Sequence, residues 1–117
     1  SSFFMDFQQF SASLGDFVLG TQILKDNLSA ILKQKANGLD DFLVSESFLH
    51  AFGPSMVEEL KGLVQEKDFF LEEVASTFMD LDDFEESEPF ENACRRLLEA
   101  KKKLYSLNRT VVSKLRD

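Results

Sequence analysis

Apolar side chains recur along this chain at helical intervals. Phe3, Phe7, Phe10, Leu14, Phe17, Thr21, Leu24, Leu28 and Ile31 alternate steps of four and three, and all but Thr21 are apolar. That rhythm lines one face of a helix, and Val18, Ile23 and Leu32 widen it into a core-facing stripe. Gly15 and Gly20 each weaken such a helix by about 1 kcal/mol relative to Ala, so they mark a close approach or a bend. Lys33 and Lys35 suit the negative end of the helix dipole, and Asn37-Gly38 supplies a left-handed stop. The pattern predicts one helix from about Phe3 to Ala36, roughly 50 Å long at 1.5 Å per residue.

A shorter apolar set follows: Leu39, Phe42, Leu43, Phe48, Leu49 and Phe52. Gly53-Pro54 ends or kinks it, because proline lacks an amide donor and disfavours helix at the preceding residue, while suiting the first position of the next helix. Val57, Leu60, Val64, Lys67, Leu71, Val74, Phe78 and Leu81 restore the four-three rhythm, which fades in the acidic run from Asp80 to Glu88. Pro89 opens a last helix, capped by Ser87 or Glu88, with Phe90, Cys94, Leu97, Lys101, Leu104, Asn108, Val111 and Leu115 on its seam. No alternating strand pattern and no internal repeat competes. The expected fold is all-α: an antiparallel helical bundle of three long helices plus one short or kinked helix, in a single domain over residues 1–117. The chain begins Ser1-Ser2 without Met, so a piece excised from a larger protein is expected.

Composition narrows the function classes. A chain of 117 residues is too short for a barrel enzyme or a two-domain nucleotide binder, and 44% hydrophobic content is too high for a disordered tail. The net charge of −8 argues against a dedicated nucleic-acid binder. The single cysteine, Cys94, has no partner for an internal disulfide, and no apolar run approaches the ~18 residues of a membrane span, so a cytoplasmic address is expected. The two sequons, Asn27-Leu28-Ser29 and Asn108-Arg109-Thr110, fall inside helical patterns and read as chance matches.

Charge is unevenly spread. Residues 1–90 carry 5 basic and 18 acidic side chains, whereas residues 91–117 carry 8 basic and 3 acidic. An antiparallel hairpin turning about Ser87–Glu88 sets Arg95 and Arg96 beside Asp80–Asp82, and Lys101, Lys102 and Lys103 beside Glu72 and Glu73. Such pairs are worth tenths of a kcal/mol each but select one pairing over others. The competing expectation is that the basic patch meets an anionic membrane surface.

Catalytic chemistry finds little footing. An EF-hand loop aligned on Asp80, Asp82 and Glu91 puts Phe84 where an oxygen ligand is needed and Glu85 where glycine makes the turn. His50 is the only histidine, Cys94 sits on a core seam, and the five glycines are scattered. No Glu-x-x-His pair of the di-iron type occurs. Neither an enzyme activity nor a metal or other cofactor is expected. The Gly-Pro punctuation and the stretch Phe90-Glu91-Asn92-Ala93-Cys94-Arg95-Arg96-Leu97-Leu98-Glu99-Ala100-Lys101-Lys102-Lys103 resemble membrane-shaping BAR-type helices over a minor part of the chain, without a diagnostic motif.

What remains is apolar surplus. Phe4, Met5, Leu19, Phe69 and Leu107 lie off their helices' main stripes, and they either widen the core or form a groove for a partner helix or a second copy. Lys67, Lys101 and Asn108 interrupt apolar seams; the lysine stems can snorkel, and Asn108 either fixes register or marks a splayed end. The expected function is a non-catalytic protein–protein interaction module, a scaffold, adaptor or oligomerisation unit. Peripheral membrane binding through the last helix is the alternative.

Overall fold

The computed structural model describes residues 5–74 and 88–116, and these form helices and their connections, with no strand among them. The first helix, α1, spans Phe7–Leu32. It starts later than the apolar pattern suggests because Asp6 caps it: the Asp6 carboxylate accepts from the Gln9 amide at 2.7 Å, and the Gln9 side chain accepts from the Asp6 amide at 3.0 Å. This reciprocal capping box satisfies two otherwise orphaned donors. The helix also stops before Ala36, since Lys33 takes the left-handed conformation at φ 52° and returns its amide to the Ser29 carbonyl. That geometry closes the helix ahead of the Asn37-Gly38 signal.

A tight 3-10 segment, Leu39–Val44, leads into a short helix, α2, over Glu46–Phe52. Ser45 caps α2 by accepting from the Phe48 amide, and its hydroxyl donates to Gln34 at 2.7 Å, tying the connection to the end of α1. Gly53 turns the chain at φ 91°, and Pro54 opens α3 over Pro54–Asp68, as the Gly-Pro signal implies. The same helical path continues as a wider π-type segment over Phe69–Val74. The last helix, α4, spans Glu88–Leu115. The position preceding it, Ser87, lies outside the described residues, as do Phe3, Phe78, Leu81 and the acidic stretch from Asp80 to Glu86.

The bundle is the expected all-α one, with the short piece divided into a 3-10 turn and α2. α3 and α4 are antiparallel: Arg96 meets Glu66, while Lys103 and Leu107, further along, border a groove with Glu58, Glu59 and Leu63. α1 and α4, first and last in the chain, run parallel and form the most extensive contact between elements. Phe10 packs against Phe90, Ser13 against Lys101, and Asn27 against Asn108, in rising order along both helices.

The core follows the seams with instructive shifts. Phe10, Phe17, Leu24 and Leu28 of α1 and Phe90, Cys94, Leu97, Leu104 and Val111 of α4 are buried as the spacing demands. Along α3, however, Leu63 and Phe70 are buried where the pattern favoured Val64 and Leu71, and Leu71 is 46% exposed. The stripe therefore sits one residue earlier over this stretch. Phe70 becomes an aromatic junction, 6.4 Å from Phe10, 6.0 Å from Phe17 and 5.1 Å from Phe69 between ring centroids. A π-type turn takes in more residues than an α-turn, which lets consecutive aromatics both reach the core.

The hairpin charges complement each other in a different register from the expected one. Arg96 bonds Glu66 at 2.6 Å, which centres the α3–α4 pairing earlier in the chain than Ser87; the expected partners Asp80–Asp82 lie outside the described residues. Lys101 turns away from Glu72 and Glu73 to α1, donating to the Ser13 hydroxyl at 3.1 Å and lying 3.9 Å from Asp16.

Two outcomes follow from this packing. Leu97, fully buried, should lose about 2–5 kcal/mol on Leu97→Ala in thermal melts at any salt concentration. Arg96→Glu should lose no more than about 1 kcal/mol, and less as salt rises; equal salt sensitivity of the two variants would refute the assignment. At the end of α1, Lys33→Gly should raise stability by about 0.5–1 kcal/mol in denaturant titrations, since glycine adopts the left-handed cap without a Cβ penalty.

Candidate interaction face

The parallel pair α1–α4 is drawn together at Gly20. A Cβ placed there would stand 2.5 Å from Cδ2 of Leu104, closer than packing allows. Gly20 is therefore the close-approach glycine, whereas Gly15 has nothing nearby and serves no such purpose. Two turns further along α1, the Asn27 side-chain amide donates to the Asn108 side-chain oxygen at 2.9 Å, half-buried between the helices. The seam asparagine is thus a register device rather than a splayed end. Both sequon asparagines are committed to this one bond.

Outside this contact the two helices present a shared outer surface. Leu19 is 60% exposed, Ile23 is 45% exposed and Tyr105 is 52% exposed. Leu19 and Ile23 are one helical turn apart on α1. The pairing of Gly20 with Leu104 and of Asn27 with Asn108 sets Tyr105 at the same level along the bundle. Ile23, expected to widen the core stripe, is instead part of this outer face: its four-residue spacing from Leu19 was the signal. Half-buried Leu98 and Val112 flank Tyr105 at seven-residue intervals along α4.

The off-stripe candidates have different fates. Leu19 is exposed. Leu107 is only 3% exposed and belongs to the core, because α4 is covered by α3 as well as α1 and so needs a wider apolar arc than one seam. Met5 is half-buried and packed against the core. Phe69 is half-buried beneath Arg96, whose guanidinium carbon lies 3.6 Å from the ring centroid, and the two border an apolar cleft of about 330 Å³ with Val74 and Ala93. Phe4 lies outside the described residues. The four described candidates therefore lie in different environments rather than in one groove.

The basic patch is divided as well. Arg95 pairs with Glu91 at 3.6 Å and with Asn92 on its own helix. Arg96 faces α3 and Lys101 faces α1, as described above, while Lys102 and Lys103 are exposed. Burial pushes the Cys94 thiol above its ordinary pKa, with the Met5 amide acting against that rise and Glu91 adding to it. A buried thiol held in its neutral form is a poor nucleophile. Among the described residues no cluster of histidine, cysteine and carboxylate side chains is arranged to hold a metal ion, and no helix is long and apolar enough to cross a membrane. Comparison with protein-family models, with curated proteins and with solved structures gives no match.

The asparagine pair gives a direct test of the α1–α4 contact. Asn27→Ala leaves the Asn108 amide half-buried and unpaired, which should cost about 1–3 kcal/mol. Replacing both by leucine should recover much of that loss, since no polar group is then stranded. Urea titrations of the two single variants and the double variant measure the coupling; additive losses would show that the two amides act independently.

Proposed function

We propose that this chain is a non-catalytic protein–protein interaction module whose docking surface is the outer face of the α1–α4 pair. The observation that carries the reading is the level grouping of Leu19, Ile23 and Tyr105, each at least 45% exposed, on the two longest helices. Scattered exposed apolar side chains are ordinary on soluble proteins, but three at one level across adjacent helices form a patch. A tyrosine beside two branched aliphatics is a composition suited to an interface core, combining large contact area with one hydrogen-bonding end. Rigid helices hold these groups in place before binding, which lowers the ordering cost of association. A scaffold, adaptor or oligomerisation role needs no more chemistry than this.

The membrane alternative draws on one feature: Lys102 and Arg109 are exposed seven residues apart along α4, and exposed Arg116 follows just past its end. It requires pelleting with anionic vesicles that weakens in salt and is lost in Lys102→Glu/Arg109→Glu.

The docking reading is checked by Leu19→Ser/Ile23→Ser. Both positions are exposed, so the melt should stay within roughly 0.5 kcal/mol of the parent per site. Quantitative affinity capture under native conditions should show the parent's associations lost in this variant and kept in Lys103→Glu, which lies on the α3 side. A double-serine variant that retains every association would overturn the assignment.

A further inference from the structure

We infer that the occupant of this face is a second copy of the same chain, joined through a two-fold axis running parallel to the helices. The inference rests on the docking reading above and adds the identity of the partner. Its basis is the charge at the edges of the apolar patch. On α1 the acidic groups are Asp16 and Asp26, whose side chains are 71% and 65% exposed. On the part of α4 that borders this patch the exposed basic groups are Lys102 and Arg109. Asp26 also lies 3.5 Å from Lys25 of its own helix, but that ammonium is largely covered while the carboxylate stays mostly exposed. At the outer surface α1 thus presents acid and α4 presents base, and the face as a whole carries both.

Register makes this complementarity specific. Lys101 lies 3.9 Å from Asp16, which sets Asp16 level with Lys101–Lys102. Asn27 bonds Asn108, which sets neighbouring Asp26 level with Arg109. A two-fold axis parallel to α1 and α4 preserves level and lays α1 of one copy over α4 of the other. Leu19 and Ile23 then cover Tyr105 of the second copy, Asp26 faces its Arg109, and Asp16 faces its Lys102, with every contact occurring twice. A perpendicular axis would instead stack α1 on α1 and bring acid to acid. Closed two-fold pairing needs a self-complementary patch of this kind.

The size of the face is adequate. Helices of 26 and 28 residues extend about 40 Å, and a side-by-side pair is about 20 Å wide, so each copy offers roughly 800 Å². A standard stable interface takes about that much from each partner. The result is a four-helix layer in which the parallel pair of one copy packs on that of the next.

The experiment is a charge swap between copies, read by analytical ultracentrifugation of the intact chain at low salt. The parent should be dimeric at high-micromolar concentration. Asp26→Arg alone and Arg109→Asp alone should each weaken self-association about tenfold to a hundredfold, since two symmetric pairs become repulsive. An equimolar mixture of the two variants should re-associate as a heterodimer. In that pairing the charge introduced in one variant meets the opposite charge introduced in the other, and the unaltered Arg109 of the first faces the unaltered Asp26 of the second. Melts matching the parent for both single variants exclude misfolding as the cause. A parent that stays monomeric, single variants that dimerise like the parent, or a mixture that fails to re-associate would each overturn the inference. If the parent is monomeric yet Leu19→Ser/Ile23→Ser still loses a different partner, the docking face stands and only its second-copy occupant is refuted.

Discussion

The contact of α1 with α4 at Gly20 and Leu104 is the constraint on which the rest of the arrangement depends. These helices are first and last in the chain and parallel, so no short loop can hold them together. Side-chain burial alone would allow a range of separations and sliding offsets. A glycine at the crossing leaves the Leu104 side chain free to occupy the space a Cβ would have filled. At that separation the Asn27 and Asn108 amides reach each other, and a half-buried polar pair satisfied in only one register penalises every sliding offset. Close approach fixes the distance, and the amide bond fixes the level.

The third helix completes the core by a different device. α3 must contact α1 near Phe10 and Phe17 while continuing antiparallel to α4. Its apolar residues include the consecutive pair Phe69-Phe70, which a regular helix would point about 100° apart. The π-type turn widens the path here, so Phe70 fills the junction with Phe10 and Phe17 while Phe69 packs edge-on and accepts Arg96 over its outer face. Arg96 is thereby shared between a carboxylate on Glu66 and an aromatic ring. A planar guanidinium serves both at once, where a lysine ammonium would not.

Periodicity made the helices and most of their buried faces legible, because a residue facing a core must recur at helical intervals whatever its partner. Caps were less visible: the Asp6–Gln9 box is written in the sequence, but the apolar run through Phe3 masked it. Lys33 carries no sign of its left-handed conformation, which is imposed by the turn toward Leu39. The α3 stripe was displaced by one residue because Val64 and Leu71 compete with Leu63 and Phe70 on near-equal terms, and only tertiary packing decides between them. Leu19 was legible as an outlier from its stripe, whereas Tyr105 and Ile23 join it only once the α1–α4 register is known. Leu107 failed as a surface candidate for the converse reason, since a helix covered on two sides buries more than one seam.

The charges show the same division between what a sequence states and what a register decides. An excess of acid on the first helices and of base on the last favours their association in any alignment. Which charge meets which depends on the level at which the helices lock. Arg96 and Lys101 fall at the seams of the locked bundle, with 2.6 Å to Glu66 and 3.1 Å to Ser13, and help to hold it. Asp26 and Arg109 fall at the same level on opposite outer edges, set there by the neighbouring Asn27–Asn108 bond. Asp26 lies 3.5 Å from Lys25 on its own helix, yet most of its side chain stays exposed, so its carboxylate still faces outward. Opposite charges held level but apart on one rigid face are a pattern that a symmetry-related face can satisfy. The bond that stops α1 sliding on α4 is therefore also the one that gives the outer surface its polarity.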